Sequence, residues 1–416
     1  MSSINDKNGS RVAGFGLRVM ALVAMLAPCA LFAGNWTLNT TTKLLESEDG
    51  YWCLTNCARS GVTLTVGKVV RADAAADGVL DFRSTQVKID NASSYVSITT
   101  ISFGRVKNLW TAAPIREFYA DKLDRIEEGI FKGNTTIEKV YINTKNATTA
   151  FMSAFEGCTS LREAHFAAPL TGHYSKCFSG CSNLDMEFSE IFDPESGSVG
   201  SSSYGGCAKL HGKLTLAKIG NGSSFPTDAF SGSGVEELVI TSPNLTSWAN
   251  GPFKGCHSLT NVTIACPNLE SMNNTSNPFS NCTALQKVTF DIPAMTNINT
   301  KTSYSHFFEN CSAICEVYFK SKPIKDPAGT DKTRSWLNKH VLCNVTPVAA
   351  TEDAPKNCTI YALRSDYKPY ASEMTGDYER PNAPKRCYGV YVSGSSRLAY
   401  MVQDPDYRPG FFISAK

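Results

Sequence analysis

The sequence predicts a right-handed solenoid of short parallel β-strands, with β-rich ends and little helix. Two observations predict it: one short phrase returns along the middle of the chain, and its apolar positions suit one face of a strand. The phrase is clearest from Phe155 to Phe166, and it returns from Phe253 to Ile264 and from Phe279 to Phe290. Its consensus is Phe-x-Gly/Asn-Cys-x-x-Leu-x-x-Val-x-Ile, and such self-similarity is the signature of a repeat architecture.

The repeats occupy residues 111–320. Their marker position is held in turn by Asn134, Cys158, Cys181, Cys207, Ser233, Cys256, Cys282 and Cys311, which are 24, 23, 26, 26, 23, 26 and 29 residues apart. Leucine-rich repeats have this period, whereas ankyrin and tetratricopeptide units are longer. The predicted class is therefore a leucine-rich-repeat solenoid of the α/β horseshoe type. Three copies are irregular: Leu184–Phe188 is one residue short, Leu210–Leu216 is one residue long, and Val235 follows its marker one position early.

In each copy the last two apolar positions are two residues apart, so both lie on the inner face of a strand. The Leu before them enters the same interior, and the Phe closes the unit on its other side. One unit cannot bury this face alone, so we expect units to stack about 4.8 Å apart and to join their strands in a parallel sheet. The Gly or Asn after the Phe favours a left-handed or tight turn.

The N-terminus predicts export. Two arginines precede an uncharged, mostly apolar run of 15 residues, Val19–Ala33, and small residues lie at the end of this run. A comfortable membrane-spanning helix needs about 20 residues. We expect a signal peptide over residues 1–33, cleaved near Ala33 or Gly34, and no transmembrane span in the mature chain. Cys29 offers a lipoprotein alternative, but Pro28 stands where a lipobox has Gly or Ala.

Fifteen cysteines in an exported chain ordinarily indicate disulfides, but the repeat changes this interpretation. The repeat cysteines are expected to point inward as one column: Cys158, Cys181, Cys207, Cys256, Cys282 and Cys311. Parallel Cβ atoms about 5 Å apart are too distant for a disulfide, which needs roughly 3.8 Å. The column is therefore predicted to hold free thiols, with Asn134 and Ser233 filling two of its positions. Disulfides are predicted instead between Cys53 and Cys57, and between two of Cys343, Cys358 and Cys387.

Two regions flank the repeats. Residues 34–110 predict an N-terminal β-rich cap, with strands at Asn35–Leu38, Val62–Val70, Val87–Ile89 and Val96–Ile98. Residues 321–416 predict a C-terminal cap, with short helices at Ser335–Leu342 and Ser365–Met374, a strand at Thr359–Ala362, and a terminal hairpin of Tyr388–Val392 and Leu398–Val402. Both caps are expected to cover open ends of the solenoid.

Between the inward positions, two columns of side chains face outward. The charged column is Lys139, Glu163, Lys213, Glu237, Asn261, Lys287 and Glu316. The ligand-binding column comprises the candidate binding residues Tyr141, His165, Thr215, Val239, Thr263, Thr289 and Tyr318. The alternating charges either let neighbouring strands stack or contribute to binding. The ligand-binding column is either a solvated strand face or a surface on which Tyr and His anchor a peptide or glycan.

Charge and motifs exclude several classes of function. The chain has 40 basic and 38 acidic residues, so nucleic acid is not an expected partner. The six His lack metal-ligand spacing, and no phosphate loop, nucleophile elbow or zinc-protease motif is present. No metal, cofactor or catalytic residue is therefore predicted, and an enzyme with its site in a cap is the least favoured hypothesis.

The stretches Ala154–Leu161, Ala229–Gly232 and Pro252–Leu259 carry the phrase most clearly. They resemble the BspA-type leucine-rich-repeat family of bacterial secreted and surface proteins, and the resemblance covers about half the chain. It implies a curved solenoid with a role in adhesion or recognition at the cell surface. The irregular copies and the long end regions depart from the commonest members of that family.

The leading hypothesis is an exported, non-enzymatic protein-interaction or adhesion protein, secreted or held at the cell surface. Its repeat surface binds a protein or glycan of the cell surface or extracellular matrix, because a solenoid presents a long face without needing a pocket. The alternative is a structural or envelope-assembly component that docks through its C-terminal hairpin.

Overall fold

The computed structural model describes residues 34–144, 152–170, 172–194, 198–219, 224–248, 250–272, 277–294, 297–298, 308, 310–314, 316–320, 359–362, 388–391 and 398–403. Within these ranges the chain is rich in strands, and helix is limited to one four-residue α-helix and one 3-10 turn. The signal peptide predicted over residues 1–33, the two predicted C-terminal helices, and Cys343, Cys358 and Cys387 lie outside the described residues.

The first ten strands precede residue 111. They are β1 (Asn35–Asn39), β2 (Leu44–Ser47), β3 (Trp52–Thr55), β4 (Ala58–Ser60), β5 (Thr63–Thr65), β6 (Lys68–Ala72), β7 (Val79–Asp81), β8 (Gln86–Ile89), β9 (Val96–Ser97) and β10 (Thr100–Ser102), with a 3-10 turn at Ala74–Ala76. Next come β11 (Glu117–Leu123), β12 (Lys139–Thr144), β13 (Glu163–Phe166), β14 (Gly172–His173), the helix α1 (Phe188–Ile191) and β15 (Ser198–Val199).

The remaining strands alternate between two sheets and then end in a hairpin. They are β16 (Lys213–Leu216), β17 (Ser224–Phe225), β18 (Glu237–Ile240), β19 (Ser247–Trp248), β20 (Asn261–Ala265), β21 (Ser271–Met272), β22 (Lys287–Asp291), β23 (Asn297–Ile298), β24 (Glu316–Phe319), β25 (Thr359–Ala362), β26 (Tyr388–Tyr391) and β27 (Leu398–Gln403).

A mainly antiparallel sheet occupies the N-terminal part. Its six strands are ordered β6-β3-β2-β1-β8-β9, and only β1 and β8 pair in parallel. Trp36 and Val87, on these two strands, are buried because alternate residues of each strand face the core. The strands predicted at Asn35, Val87 and Val96 are thus confirmed as β1, β8 and β9.

The strand predicted at Val62–Val70 is wrong as one element, because it forms β5 and β6 in two different sheets. β5 pairs in parallel with β10, whereas β6 pairs antiparallel with β3. The chain changes sheet at Gly67, whose amide donates to Cys57 Sγ at 3.3 Å. A Cβ atom at Gly67 would clash with the carbonyl oxygen of Thr55, so this close approach requires glycine.

The repeats build two long sheets. The first has the order β13-β12-β11-β10-β5-β4, with β7 also beside β11, and β10 to β13 pair in parallel. The second has eight strands in the order β16-β18-β20-β22-β24-β25-β27-β26. A short parallel sheet, β17-β19-β21-β23, runs alongside, so each repeat from β16 to β23 contributes one strand of each kind.

The C-terminal strands extend the repeat sheet. The predicted strand at Thr359 and the predicted hairpin are confirmed as β25, β26 and β27. β25 pairs in parallel with β24, and β27 pairs in parallel with β25. β26 is the antiparallel partner of β27 and stands at the end of this sheet. The hairpin is therefore a continuation of the repeat sheet.

The Phe of the phrase forms an aromatic column through the core. Its members are Trp110, Phe131, Phe155, Phe178, Tyr204, Phe230, Phe253, Phe279 and Phe308, and all are fully buried. Centroids of successive rings lie 5.1 to 5.9 Å apart, and from Phe131 onward the planes of neighbouring rings differ by 14° or less. The predicted core role of the Phe is confirmed, and its rings stack offset as aromatic pairs prefer.

The predicted thiol column is also confirmed. All six repeat cysteines are buried and free, and each thiol donates to the carbonyl oxygen of the aromatic residue one repeat earlier, at 2.9 to 3.1 Å. Asn134 makes the same contact, since its Nδ2 donates to the Trp110 carbonyl at 2.8 Å. Burial raises the pKa of Cys158 and of Cys207 to about 12, so these thiols stay protonated.

The predicted disulfide between Cys53 and Cys57 is wrong, because both thiols are free and buried. Cys57 Sγ is held against the backbone, where it accepts from the Gly67 amide and contacts the Thr55 carbonyl at 3.6 Å. Cys53 lies on β3 opposite Glu46, away from that turn. Backbone contacts thus satisfy Cys57 where the sequence spacing predicted a covalent partner.

The left-handed turn after the Phe is confirmed. The φ angles are 76° at Gly157 and 78° at Gly180, and they are 63° at Asn281 and 60° at Asn310. Glycine adopts this conformation without strain, and Asn tolerates it better than most residues.

Candidate recognition surface

The two outward columns predicted from the sequence lie in register across the sheets. Tyr141 is opposite His165 on β12 and β13. Thr215, Val239, Thr263, Thr289 and Tyr318 are opposite one another in turn from β16 to β24. The structure therefore brings the seven predicted residues together in two groups, one on each long sheet, and none of them faces the core.

The charged column forms ion pairs between adjacent strands. Lys139 pairs with Glu163 at 3.1 Å, Lys213 with Glu237 at 2.7 Å, and Lys287 with Glu316 at 3.7 Å. All six side chains are at least one-third exposed. Exposed pairs of this kind contribute about 0–1 kcal/mol each, so their main effect is to favour this strand register.

A stack of planar groups covers the outward face of the first sheet. The Arg83 guanidinium lies 4.2 Å above the Tyr119 ring. The Tyr119 and Tyr141 rings stack at 4.8 Å, and the Tyr141 and His165 rings stack at 4.7 Å. Arg83 and Tyr119 were not among the residues predicted for this face. The alternation of Phe118, Tyr119 and Ala120, which matches the later copies, indicates the outward position of Tyr119.

Carboxylates hold the edge of this stack. The Tyr119 hydroxyl donates to Glu117 at 2.6 Å, and the Tyr141 hydroxyl donates to Glu163 at 3.1 Å. Burial, followed by these neighbouring carboxylates, raises the pKa of both tyrosines. Burial alone would raise the pKa of Glu163, but its bonds to Lys139, His165 and Tyr141 outweigh that effect and lower it.

Both ring faces of Tyr119 and of Tyr141 are covered within this stack. Tyr119 lies between Arg83 and Tyr141, and Tyr141 lies between Tyr119 and His165. Tyr141 therefore presents its edge outward, and its hydroxyl already has a partner. A ligand at this position meets a row of ring edges and carboxylates rather than a flat aromatic platform.

The other aromatic end of the column is also enclosed. The ammonium groups of Lys287 and Lys320 lie 4.6 and 5.1 Å from the centre of the Tyr318 ring. The Tyr318 hydroxyl lies 3.3 Å from a Glu316 carboxylate oxygen. Between this end and β16, the column holds the half-buried side chains of Thr215, Val239, Thr263 and Thr289, which form a strip across adjacent strands.

The two sheets are interrupted between β13 and β16. The copy marked by Cys181 is one residue short, and after Phe188 its chain forms α1 instead of a strand. A capping box of Glu187 and Glu190 stabilises the start of this single turn. A cleft of about 280 Å³ opens at the interruption, lined by Pro169, Phe188, Phe192, Pro194 and Thr215 among others.

Within the described residues, no cluster of three or more His, Cys, Asp or Glu is arranged to hold a metal ion. His211 lies 3.6 Å from Asp185 and His257 is exposed, so each stands apart from such a cluster. No helix in this part of the chain is long and apolar enough to cross a membrane.

Parallel strands added one per repeat, with inward leucines and a period of 23 to 29 residues, define a leucine-rich-repeat protein. The chain belongs to the BspA type leucine-rich-repeat family. The sequence model of that family matches six copies, over residues 83–211 and 223–326.

Two solved structures are similar to this chain. A leucine-rich cell surface protein from Faecalibacterium prausnitzii is 13% identical, with a TM-score of 0.34, and the match covers 80% of this chain and 98% of that one. A leucine-rich-repeat protein from Bacteroides ovatus is 16% identical, with a TM-score of 0.34, covering 75% of this chain and 83% of that one. No curated protein matches the chain.

Proposed function

We propose that this chain is an exported, non-enzymatic interaction protein, secreted or held at the cell surface, that binds another protein through the outward face of its repeats. One observation carries the proposal: the ligand-binding column stays in register across five adjacent strands, from Thr215 to Tyr318. A long strip of this kind offers many weak contacts at once, which suits a macromolecular ligand.

The repeats are proposed to stack as a right-handed solenoid. Parallel strands joined by a crossover connection are right-handed in about 98% of cases. The short sheet from β17 to β23 supports this arrangement. Between two successive strands of the long sheet, the chain passes through one strand of the short sheet, as one coil of a solenoid does.

The ring geometry favours a protein ligand over a glycan. A sugar ring stacks on an exposed aromatic face, but both faces of Tyr141 are covered by Tyr119 and His165. The Tyr318 ring is covered by ammonium groups. The remaining outward features are ring edges, ion pairs and small β-branched side chains, which resemble the polar rim and flat centre of a protein interface.

A binding screen tests this proposal. Purified chain is applied to an array of host-matrix proteins and glycans, together with two matched arginine variants. Thr263→Arg places a long charged side chain at the centre of the strip, whereas Ser258→Arg places the same group on an exposed turn of the same repeat. Binding to a protein spot that survives Ser258→Arg and is lost with Thr263→Arg supports the face. Equal binding by both variants contradicts it.

Export and location are tested separately. We expect mass spectrometry of chain recovered from the extracellular or surface fraction of its native host to show a new N-terminus near Gly34, because the run Val19–Ala33 is proposed as a signal peptide. An intact Met1 on chain found in the cytoplasm contradicts export without bearing on the binding face.

A second candidate function is docking through the C-terminal hairpin. The observation that favours it is the position of β26 at the end of the eight-stranded sheet, where an edge strand is able to pair with another chain. Val390→Pro removes one backbone donor from this edge strand, and Gly389→Ala is its milder neighbour. Loss of surface retention with Val390→Pro alone, in fractionated cells, supports docking. Unchanged retention argues against it.

A further inference from the structure

The sheet interruption leaves a gap in the backbone hydrogen bonds of β16. In a parallel strand, the N–H and C=O of one residue point to the same side, and the side alternates along the strand. The carbonyls of Gly212 and Leu216 accept from Glu236 and Thr241, so they point to the side of β18. Lys213 and Thr215 therefore direct their backbone groups to the other side, toward the interruption.

The preceding repeat pairs with this edge at both ends of the gap. The His211 amide donates to the Met186 carbonyl at 3.0 Å, and its carbonyl accepts from Phe188 at 3.2 Å. The Ala217 amide donates to the Pro194 carbonyl at 3.2 Å. Between them, the backbone groups of Lys213 and Thr215 have no hydrogen-bond partner in the described part of the chain.

The cause is the single helical turn of α1. The ladder from Met186 would bring the Phe188 carbonyl to the Lys213 amide, but that carbonyl accepts from Phe192 at 2.8 Å within the turn. Ile191 and Asp193 then hydrogen-bond to Leu170, and the chain rejoins the edge of β16 at Pro194. The cleft of about 280 Å³ lies over the uncovered segment and is lined by Lys213 and Thr215.

We propose that this notch, defined by Lys213, Thr215 and the cleft beside them, binds an extended, basic peptide segment of a partner protein by adding it to β16. The inference rests on the proposed function and names the form of its ligand. Unpaired N–H and C=O groups at strand spacing are matched by another extended backbone, which is the chemistry of strand addition. The cleft of about 280 Å³ has room for one side chain of such a segment.

The charge of the rim favours a basic segment. Asp193 lines the cleft, and Asp185, Glu187 and Glu190 lie on the same segment, residues 185–193, which has no Lys or Arg. The nearest cation on β16, Lys213, already pairs with Glu237 at 2.7 Å. Pro169, Phe192 and Pro194 give the cleft an apolar wall. A segment alternating basic and β-branched residues therefore complements both the rim and the wall.

Hydrogen exchange on the full chain provides the first test. Thr215 and Val239 occupy the same position in adjacent strands, but only the Val239 amide faces a paired strand. The Thr215 amide is expected to exchange at least about a hundredfold faster than the Val239 amide. Equal protection of the two amides means that the edge is already covered, for example by the chain's own segment, and overturns the proposal.

Binding of defined probes provides the second test. The peptide acetyl-Lys-Val-Lys-Val-Lys-amide is titrated into the full chain, and protection of residues 213–216 is followed by hydrogen exchange. It is expected to bind at least tenfold more tightly than acetyl-Glu-Val-Glu-Val-Glu-amide and than its own backbone N-methylated form. Equal binding of the N-methylated form, or no protection of residues 213–216 by the cationic peptide, overturns strand addition.

Two substitutions at one position separate backbone from side chain. Thr215→Pro removes the free N–H but no hydrogen bond to β18, and an edge strand tolerates proline at such a position. Thr215→Val keeps the N–H and removes only the hydroxyl. At least a tenfold loss of probe binding is expected for Thr215→Pro and less than twofold for Thr215→Val. Equal binding by both overturns the notch. If Thr215→Pro does not fold, the N-methylated probe reports on the same hydrogen bonds.

The rim is tested with Glu187→Gln and Glu190→Gln combined, since Gln retains the capping hydrogen bonds and removes two charges. Weaker binding of the cationic probe, with less dependence on salt, is expected; unchanged binding overturns the basic character of the segment. A protein ligand from the array that binds Thr215→Pro but not Thr263→Arg removes the notch and leaves the proposed face intact. A protein ligand that binds Thr215→Pro and Thr263→Arg as tightly as it binds the unaltered chain contradicts both the notch and the proposed function.

Discussion

At the residue scale, each repeat position is specialised by one contact with the repeat before it. The ring of Phe178 stacks on Phe155, and the thiol of Cys181 donates to the Phe155 carbonyl at 3.1 Å. A side chain at Gly180 would point toward the Cα atom of Gly157. Because these contacts link equivalent residues of successive repeats, the same residue type recurs at each position. The consensus residues of the phrase are therefore those that contact the neighbouring repeat.

The thiol hydrogen bond is tested by Cys181→Ala and Cys181→Ser. We expect Cys181→Ala to lower the free energy of unfolding by about 0.5–1.5 kcal/mol, because it removes one of two donors to the buried Phe155 carbonyl, which keeps its bond from the Cys158 amide at 3.1 Å. Cys181→Ser should cost less, since a hydroxyl still donates and Ser233 occupies the same position naturally. Urea denaturation measures both. If Cys181→Ser lowers the free energy of unfolding more than Cys181→Ala does, the thiol acts through packing and not through its hydrogen bond.

The same thiols predict loss of stability at alkaline pH. Folding raises the pKa of Cys158 and Cys207 from 9.0 to about 12. Their contribution is fully present below pH 9 and is lost as the pH rises toward 12, because the unfolded thiols release protons first. The free energy of unfolding should fall by about 1 kcal/mol per thiol between pH 9 and 10. The Cys158→Ser, Cys207→Ser variant serves as the control, and an unchanged pH slope in it contradicts this assignment.

At the element scale, packing against the neighbouring repeats decides whether a segment forms a strand or a helical turn. The copy at Leu184–Phe188 lacks one residue, and Met186 Sδ accepts from the Ala164 amide at 3.1 Å where a strand would place a carbonyl. The chain after Phe188 then closes its own hydrogen bond in α1. One missing residue thus separates two sheets and opens the notch.

The planar stack on the first sheet is predicted to stabilise β11, β12 and β13 together. Tyr141→Ala removes both ring contacts and should lower the free energy of unfolding by at least about 2 kcal/mol, from two aromatic pairs of about 0.5–1.5 kcal/mol each plus lost burial. Tyr141→Phe keeps the stack and loses only the bond to Glu163, at a cost of about 1 kcal/mol. Equal urea midpoints for the two variants would show that the stack adds no stability.

At the scale of the whole molecule, the N-terminal region is continuous with the repeats. β10 and β7 both pair in parallel with β11, and the family match begins at residue 83. The core follows the same continuity, since Phe103 contacts Trp110 at the start of the aromatic column. The domain boundary placed at residues 110 and 111 remains a prediction, but the sheet itself crosses it.

The fragment 111–320 is therefore predicted to aggregate. It exposes the edge of β11 that β10 and β7 cover, and it loses the contact between β24 and β25 at the other end. Size-exclusion chromatography with light scattering measures its state, with the chain from residue 34 to 416 as the reference. A soluble, monomeric 111–320 fragment would show that the repeats need no covering strands.

Sequence periodicity alone predicted which residues face inward and which face outward. Phe155, Cys158 and Leu161 are buried as expected, and the outward columns keep the predicted register. It failed where the outcome depends on contacts distant in the chain. Gly67 meets Thr55 and divides one predicted strand, and backbone contacts hold Cys57 free instead of linking it to Cys53.

By itself, then, the sequence determined the repeat, its core and its outward face, because a side chain's direction in a strand follows from local spacing. Only the tertiary structure decided that Tyr119 and Arg83 join Tyr141 in a closed stack, and that α1 leaves Lys213 and Thr215 uncovered. These features are set by hydrogen bonds and ring contacts between neighbouring units. Such contacts depend on which strands become neighbours, and that is settled only when the units stack.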